Sequence, residues 1–226
     1  MIITIDGPAG SGKSTVAQRI AQQLNIFYLN TGLLYRAVAY LLFVDPSAPF
    51  FNQLDKGIES LTLAHLQCLP ALEYSYSLNG AAVSVAGKDI TSQLFATTGI
   101  DQLASKISAL PAVREYLLDV QRLIAKKHDV IADGRDCGTV VFPLAEYKFY
   151  LTASVEIRAQ RRMLDPKTQS LGLTYEQVRA DVAERDERDK NRSIARLRIP
   201  EQAVIIDASF LSIDEVVSKI IICIKR

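Results

Sequence analysis

Ile2-Ile-Thr-Ile-Asp-Gly-Pro-Ala-Gly-Ser-Gly-Lys-Ser-Thr15 is the segment from which the rest of the chain can be read. Its first five residues are a short β-branched run of the kind that fills a buried strand. Gly7 to Gly12 then form a glycine-rich turn. From Ser14 to Leu24 the apolar residues Val16, Ala17, Ile20, Ala21 and Leu24 recur at three- and four-residue spacing, which predicts a helix with one buried face. Strand, glycine turn and helix in that order make a nest of inward-pointing backbone N–H groups at the positive end of a helix dipole. The turn also matches G-x-x-x-x-G-K-[ST], a pattern chance would supply in about 1% of chains this long. Gly7, Pro8, Ala9, Gly10, Ser11, Gly12, Lys13, Ser14 and Thr15 are therefore the candidate nucleotide-phosphate site. In such a cradle Lys13 can reach the β- and γ-phosphates, and the Ser14 hydroxyl can ligate Mg²⁺.

Working outward, further short apolar segments occur at Phe27–Leu29, Val130–Ala132, Lys148–Leu151 and Val204–Ile206. Helical patterns lie between them, around Tyr35–Phe43, Val113–Lys127, Val155–Leu164, Tyr175–Asp189 and Ile213–Ile224. Strands alternating with helices predict an α/β fold with a five-stranded parallel sheet flanked by helices. Residues 70–94 break that pattern: they alternate at period two around Asn79-Gly80, which predicts a small antiparallel β insertion. Residues 44–52, with Pro46 and Pro49, read as a loop.

The 226 residues carry 26 Lys+Arg against 25 Asp+Glu, a formal charge of +1, and 49% hydrophobic residues. That composition describes an ordinary globular chain and argues against disorder. The charge balance gives no case for general nucleic-acid or membrane-surface binding, and no apolar run approaches the length of a membrane span. The N-terminus lacks a basic segment before its apolar run, so no signal peptide is expected. Cys68, Cys137 and Cys223 are odd in number and far apart, which suits small buried hydrophobes in a reduced compartment. The expectation is a cytoplasmic monomer acting on small molecules.

The cradle does not name a reaction. An Asn-Lys-x-Asp base-reading motif, a Leu-Ser-Gly-Gly signature and an Asp-Glu-x-Asp box are all absent from the sequence, which leaves a small-molecule phosphotransferase. Three further stretches bear on it: Thr31-Gly-Leu-Leu-Tyr-Arg36, Asp133-Gly-Arg-Asp-Cys-Gly-Thr139 and Arg185-Asp-Glu-Arg-Asp-Lys-Asn-Arg192. Ligands of open α/β sheets lie beyond the carboxyl ends of the strands, so the first two stretches should face the cradle. Asp133 reads either as a strand-end carboxylate orienting Mg²⁺ through water or as a cap. Arg185, Asp189 and Arg192, at i, i+4 and i+7, would share one helix face. That face is either solvated and laced with ion pairs or part of a charge-neutralising site. Transfer between two phosphorylated molecules needs several bidentate donors, the task arginine performs best.

At these residues the sequence resembles the bacterial cytidylate kinase family of the longer type, within the P-loop nucleoside monophosphate kinases. The matching elements are 5–15, Thr31-Gly-x-x-Tyr-Arg36, Ser105, Pro111-x-Val-Arg114, Asp133-Gly-Arg-Asp-x-Gly-Thr-Val-Val-Phe-Pro143 and Arg185-x-x-Arg-Asp-x-x-Arg192. The resemblance implies transfer of the γ-phosphoryl of ATP, with Mg²⁺, to CMP or dCMP. It further implies a single domain over 1–226, with a monophosphate-binding insertion at about 62–97 and a short lid at about 158–173. Lys13, Arg135 and Arg192 would be catalytic. Thr31 and Arg36, with Arg135 and Arg192, would clamp the acceptor phosphate. Ser105, Arg114 and Asp136 would read cytosine, and Arg185 with Asp189 would contact the pentose. Arg158, Arg161 and Arg162 fall where the lid begins, either reaching ATP or lying on an exposed helix face. His65 and His128 match no family element. Leu33 and Leu34 stand where the family has small residues, and Ala195-Arg-Leu197 where it has Ala-Pro-Leu. The rival readings are a kinase for UMP, AMP or shikimate, and a non-catalytic nucleotide sensor.

Overall fold

The structure is a computed structural model that describes residues 1–50, 58 and 60–224. Its central sheet has five strands in the order β2-β6-β1-β7-β8, formed by Ile2–Asp6 (β1), Phe27–Asn30 (β2), Val130–Gly134 (β6), Tyr147–Thr152 (β7) and Val204–Asp207 (β8). β1 runs parallel to β6 with Ile3 opposite Ile131, and parallel to β7 with Ile5 opposite Phe149. The β-branched runs predicted as buried strands are so: Ile3, Ile5, Val130 and Ile131 have no exposed surface. β8 is the exception. As an edge strand it leaves Val204 and Ile205 largely exposed.

The chain divides into two compact units, one of residues 1–26 and 129–226 and the other of residues 27–128. The first unit holds the predicted helix after the glycine turn, α1 (Lys13–Leu24), which buries Val16, Ala17, Ile20 and Ala21. Asn25 ends it in the left-handed conformation (φ 51°), returning its N–H to the Ala21 and Gln22 carbonyls. Helices Val155–Met163 (α7), Tyr175–Lys190 (α9) and Ile213–Ile224 (α10) lie close to their predicted bounds, and a short helix Pro166–Ser170 (α8) joins the first two. α9 stops at Lys190, so Arg192 lies beyond the helix instead of on a face shared with Arg185 and Asp189.

The second unit begins with α2 (Thr31–Phe43), which starts four residues before its predicted bound because the Asn30 side chain accepts from the Leu33 N–H and caps it. Leu33 and Leu34 are fully buried on this helix, so the bulky residues serve the core. The insertion is a three-stranded antiparallel sheet, Leu72–Ser77 (β3), Gly80–Val85 (β4) and Lys88–Asp89 (β5). Its turn is Leu78-Asn79, one residue earlier than predicted, and Gly80 (φ 108°) already opposes Ser77 in the ladder. Short helices Leu63–Gln67 (α3), Thr91–Ala96 (α4) and Ile100–Ile107 (α5) are not legible as periodic patterns, since five, six and eight residues give at most about two turns of repeat. Pro111–Lys127 (α6) is. Of the loop expected over 44–52, residues 44–50 are irregular and turn-like, and 51–52 lie outside the described residues.

The cysteines depart from expectation: Cys137 is buried, Cys223 is partly covered and Cys68 is exposed. His65 caps α3 by accepting from the Thr62 N–H, and His128 stacks on Phe27 at 4.4 Å between ring centroids.

Candidate functional site

In the first unit the site starts where β1 runs out. A Cβ on Gly7 (φ 149°) would lie 2.0 Å from the Leu151 carbonyl oxygen, so only glycine lets the chain turn against β7. The loop then runs into α1, whose first residues carry Lys13 and Ser14. Lys13 is 5% exposed, and its Nζ donates to the Pro8 carbonyl at 2.6 Å and to Ser11 Oγ at 3.3 Å. Burial pushes the Lys13 pKa well down, and the Arg135 charge adds to the shift. An anion placed in the loop would reverse that penalty. Ser14 Oγ donates to Asp133 Oδ2 at 2.7 Å, so the carboxylate at the end of β6 stands beside the hydroxyl proposed for Mg²⁺. A hydroxyl and a carboxylate are hard oxygen donors. They fit a small cation that keeps most of its waters and takes the rest of its shell from phosphate.

The segment after β6 is held by a residue the sequence did not single out. Asp6, fully buried, accepts from the N–H groups of Cys137 and Gly138, each at 2.7 Å. Burial pushes its carboxyl up to about 7, against the pull of those two donors. The clamp sits at the head of a π-helical turn, Cys137–Val141, in which the Phe142 N–H returns to the Cys137 carbonyl at 2.7 Å. Arg135 and the buried Asp136 immediately precede that turn.

The arginine cluster forms around Asp189. Arg135 Nε donates to Asp189 Oδ2 at 2.8 Å, and Arg192 Nη2 pairs with the other carboxylate oxygen. Asp189 is 1% exposed. Burial alone would raise its pKa, but the charges of Arg135, Arg192 and Arg185 outweigh it and hold the carboxyl below its usual value. The Arg185 charge also acts on Lys13, which places it among the cradle's neighbours. The solvated-face reading holds only for the outer residues, where Arg188 pairs with Glu184 and Lys190 with Glu187. Arg158 also departs from an exposed face: it is 3% exposed and donates to the Ala9 carbonyl at 3.1 Å. Arg161 donates to the Ser11 carbonyl at 3.3 Å and to that of Ala208 at 2.6 Å.

The second unit brings together Thr31, Arg36, Ser105 and Arg114 on helices that pack on one another. Thr31 and Ser105 are buried. Arg36 Nε pairs with Asp101, one turn before Ser105 on α5, and its guanidinium lies 5.8 Å from the centre of the Phe95 ring. Arg114 Nη1 donates to the Ser108 carbonyl at 3.0 Å, Ser108 Oγ donates to the Ser105 carbonyl at 2.8 Å, and Arg114 lies over Tyr35 at 5.8 Å. Tyr74, on β3, accepts from the Asn30 N–H at 2.8 Å and donates to the Tyr28 carbonyl at 3.0 Å. It thereby fixes the residue that caps the helix bearing Thr31 and Arg36. Tyr74 carries no signal in the sequence beyond its place in the alternating insertion, and Asp101 carries none.

A family model described as cytidylate kinase matches residues 3–226. The chain belongs to the cytidylate kinase family. It is 42% identical to the cytidylate kinase of Carboxydothermus hydrogenoformans, over 100% of this chain and 98% of that protein. With the cytidylate kinase of Clostridium botulinum strain Hall it shares 40% identity, over 99% and 97% of the two chains. Among solved structures, an uncharacterized protein from Eubacterium ventriosum is similar in fold over 100% of this chain and 98% of its own, with a TM-score of 0.55 at 13% identity. No helix among the described residues is long and apolar enough to cross a membrane.

Proposed function

We propose that this member of the family phosphorylates CMP and dCMP with ATP, giving CDP or dCDP and ADP, as a cytoplasmic monomer working on small molecules. The observation that carries the reading is the pairing of a Lys13–Ser14 phosphate cradle with a second, separate set of arginines organised by one buried carboxylate, Asp189. A nucleotide sensor needs the cradle alone; two phosphorylated substrates need both.

In this reading residues 7–15 bind the donor phosphates through backbone N–H groups, and Lys13 exchanges its Pro8 carbonyl for a phosphoryl oxygen. Ser14, with Asp133 beside it, would hold Mg²⁺, which would supply neutralisation of the phosphate charge. Thr31 and Arg36 hold the acceptor phosphate, and Arg135 and Arg192 stabilise the charge that spreads over the moving group. Asp189 aims those two arginines and, with Arg185, meets the pentose. Ser105, Arg114 and Asp136 read the base: a carboxylate accepts from the cytosine N4 amino group and faces the O4 of uracil acceptor against acceptor. No covalent intermediate is required, since positioning and charge stabilisation suffice. Closure of the 62–97 insertion and the 158–173 lid excludes water, which would otherwise divert ATP to hydrolysis.

An ADP-release assay with ATP across CMP, dCMP, UMP, AMP and shikimate tests the proposal. CMP and dCMP should give the highest kcat/KM. Preference for another acceptor, or nucleotide binding without turnover on any of them, would overturn it.

A further inference from the structure

Arg158 and Asp186 make a buried ion pair that the proposed transfer leaves without a role. Their side chains are 4% and 8% exposed. The guanidinium meets the carboxylate as a fork, Nη1 to Oδ1 at 3.0 Å and Nη2 to Oδ2 at 2.5 Å. It also donates through Nε to the Ala153 carbonyl at 2.9 Å and through Nη1 to the Ala9 carbonyl at 3.1 Å. One side chain therefore ties together the entry to its own helix α7, the helix α9 and the middle of the phosphate loop. The loop lies flush on α7 at this point. A Cβ on Gly10 (φ +77°) would sit 3.2 Å from both the Cβ and the carbonyl oxygen of Arg158.

A loop that presents its N–H groups to an anion must turn carbonyls the other way. Turned inward against the protein, those carbonyls need donors, because an unsatisfied buried acceptor is costly. Arg158 serves the Ala9 carbonyl, and Arg161, one turn later on the same helix, serves that of Ser11. Stability is a weak reason to keep such a pair. Buried ion pairs can often be replaced by apolar residues of similar volume at no loss. Orientation of the loop is a stronger reason, since only a guanidinium can address a carboxylate and two carbonyls at once in a fixed geometry.

We infer that Arg158 and Asp186 are positioning residues for the donor site, a buried brace that holds the Ala9 carbonyl turned into the protein, away from the anion, so that the loop N–H groups converge on phosphate. The inference rests on the assignment of 7–15 to the phosphoryl donor. Its test uses the full chain in three variants: Asp186→Asn, Arg158→Lys and the double replacement Arg158→Met with Asp186→Leu. For each, calorimetric titration with MgADP gives Kd, steady-state kinetics give KM for ATP and for CMP, and a thermal scan gives Tm.

The brace predicts that Kd for ADP and KM for ATP rise about 10- to 100-fold, the scale of a small misplacement at a reacting site, with KM for CMP unchanged. Arg158→Lys should not restore ADP affinity. The double variant should melt near the wild-type temperature yet bind ADP as poorly as the single ones. Wild-type ADP affinity in any folded variant, restoration by lysine, or ATP and CMP constants worsening together would overturn the inference. If the double variant does not fold, the single variants decide by the same readings. A wild-type protein that binds ADP but phosphorylates no monophosphate would defeat the proposed function, while the ADP titrations would still judge the brace.

Discussion

Within the first unit the candidate donor site is built mainly from backbone, one contiguous loop at 7–15 whose carbonyls and flanking segments are pinned from behind by Asp6, Arg158 and Arg161, with the Asp189 arginine cluster beside it. The second builds its share from side chains on three helices, with Thr31 and Arg36 on α2, Ser105 on α5 and Arg114 on α6, steered by Asp101, Tyr74 and ring faces. A backbone site depends on what lies behind it and tolerates change along its own surface poorly. A side-chain site depends on each residue and can be tuned one position at a time. On the proposed function, that is the division expected between a general phosphoryl donor and a particular acceptor.

The sharpest way to break the comparison is Lys13→Ala. It removes the loop's cationic side chain, and kcat should fall by roughly two to three orders of magnitude, with CMP binding nearly intact. Near-normal kcat in an ADP-release assay would show the donor site to be misassigned.

Arg36→Ala comes next. Loss of the acceptor clamp should raise KM for CMP and also lower kcat, by about 10²-fold in kcat/KM, because misplacing the attacking oxygen damages alignment. Lysine should recover only part, since its point charge cannot reproduce a planar fork. Full activity in Arg36→Lys would reduce Arg36 to an ion pair with Asp101.

Asp136→Asn sharpens the comparison. An amide can turn either face to the base, so the CMP-over-UMP ratio of kcat/KM should shrink by about 1–3 kcal/mol, with the loss falling on CMP. Equal losses on both bases would show that Asp136 serves structure instead.

The smallest effect concerns acid. The charges of Arg135, Arg192 and Arg185 hold the Asp189 carboxyl below its ordinary value of 3.8 in the folded chain, so its contribution to stability is complete above that value. It is lost as pH falls through the lower folded pKa. Urea unfolding of wild type between pH 7 and 3 should therefore show an acid limb that Asp189→Asn flattens. Parallel curves would mean that the arginine cluster does not stabilise the fold through this carboxylate.

Much of this was legible along the chain. The cradle, its flanking strand and helix, and the long helices announce themselves because their residues interact with near neighbours at a fixed period. The insertion's hairpin showed through alternation, and its turn was misplaced by one residue because Asn-Gly can open a strand with glycine's positive φ as well as fill a turn. The acceptor residues were legible only as a resemblance. Nothing local marks Ser105, on a helix of eight residues, or Arg114 as partners of Arg36.

What the sequence by itself determined, then, is the order of the five core strands and the long helices, the phosphate loop and the identity of the charged residues available to it, since each follows from local pattern and chemistry. Only the tertiary structure decided which charges are buried together: Asp189 between Arg135 and Arg192, Arg158 against Asp186, and Asp6 beneath residues 137–138. Arg158 and Arg188 look alike in the sequence, yet the first is sealed under the loop and the second lies at the surface with Glu184. The physical reason is that desolvation and charge pairing depend on distance in space between residues such as 6 and 137, and no periodicity along the chain encodes that distance.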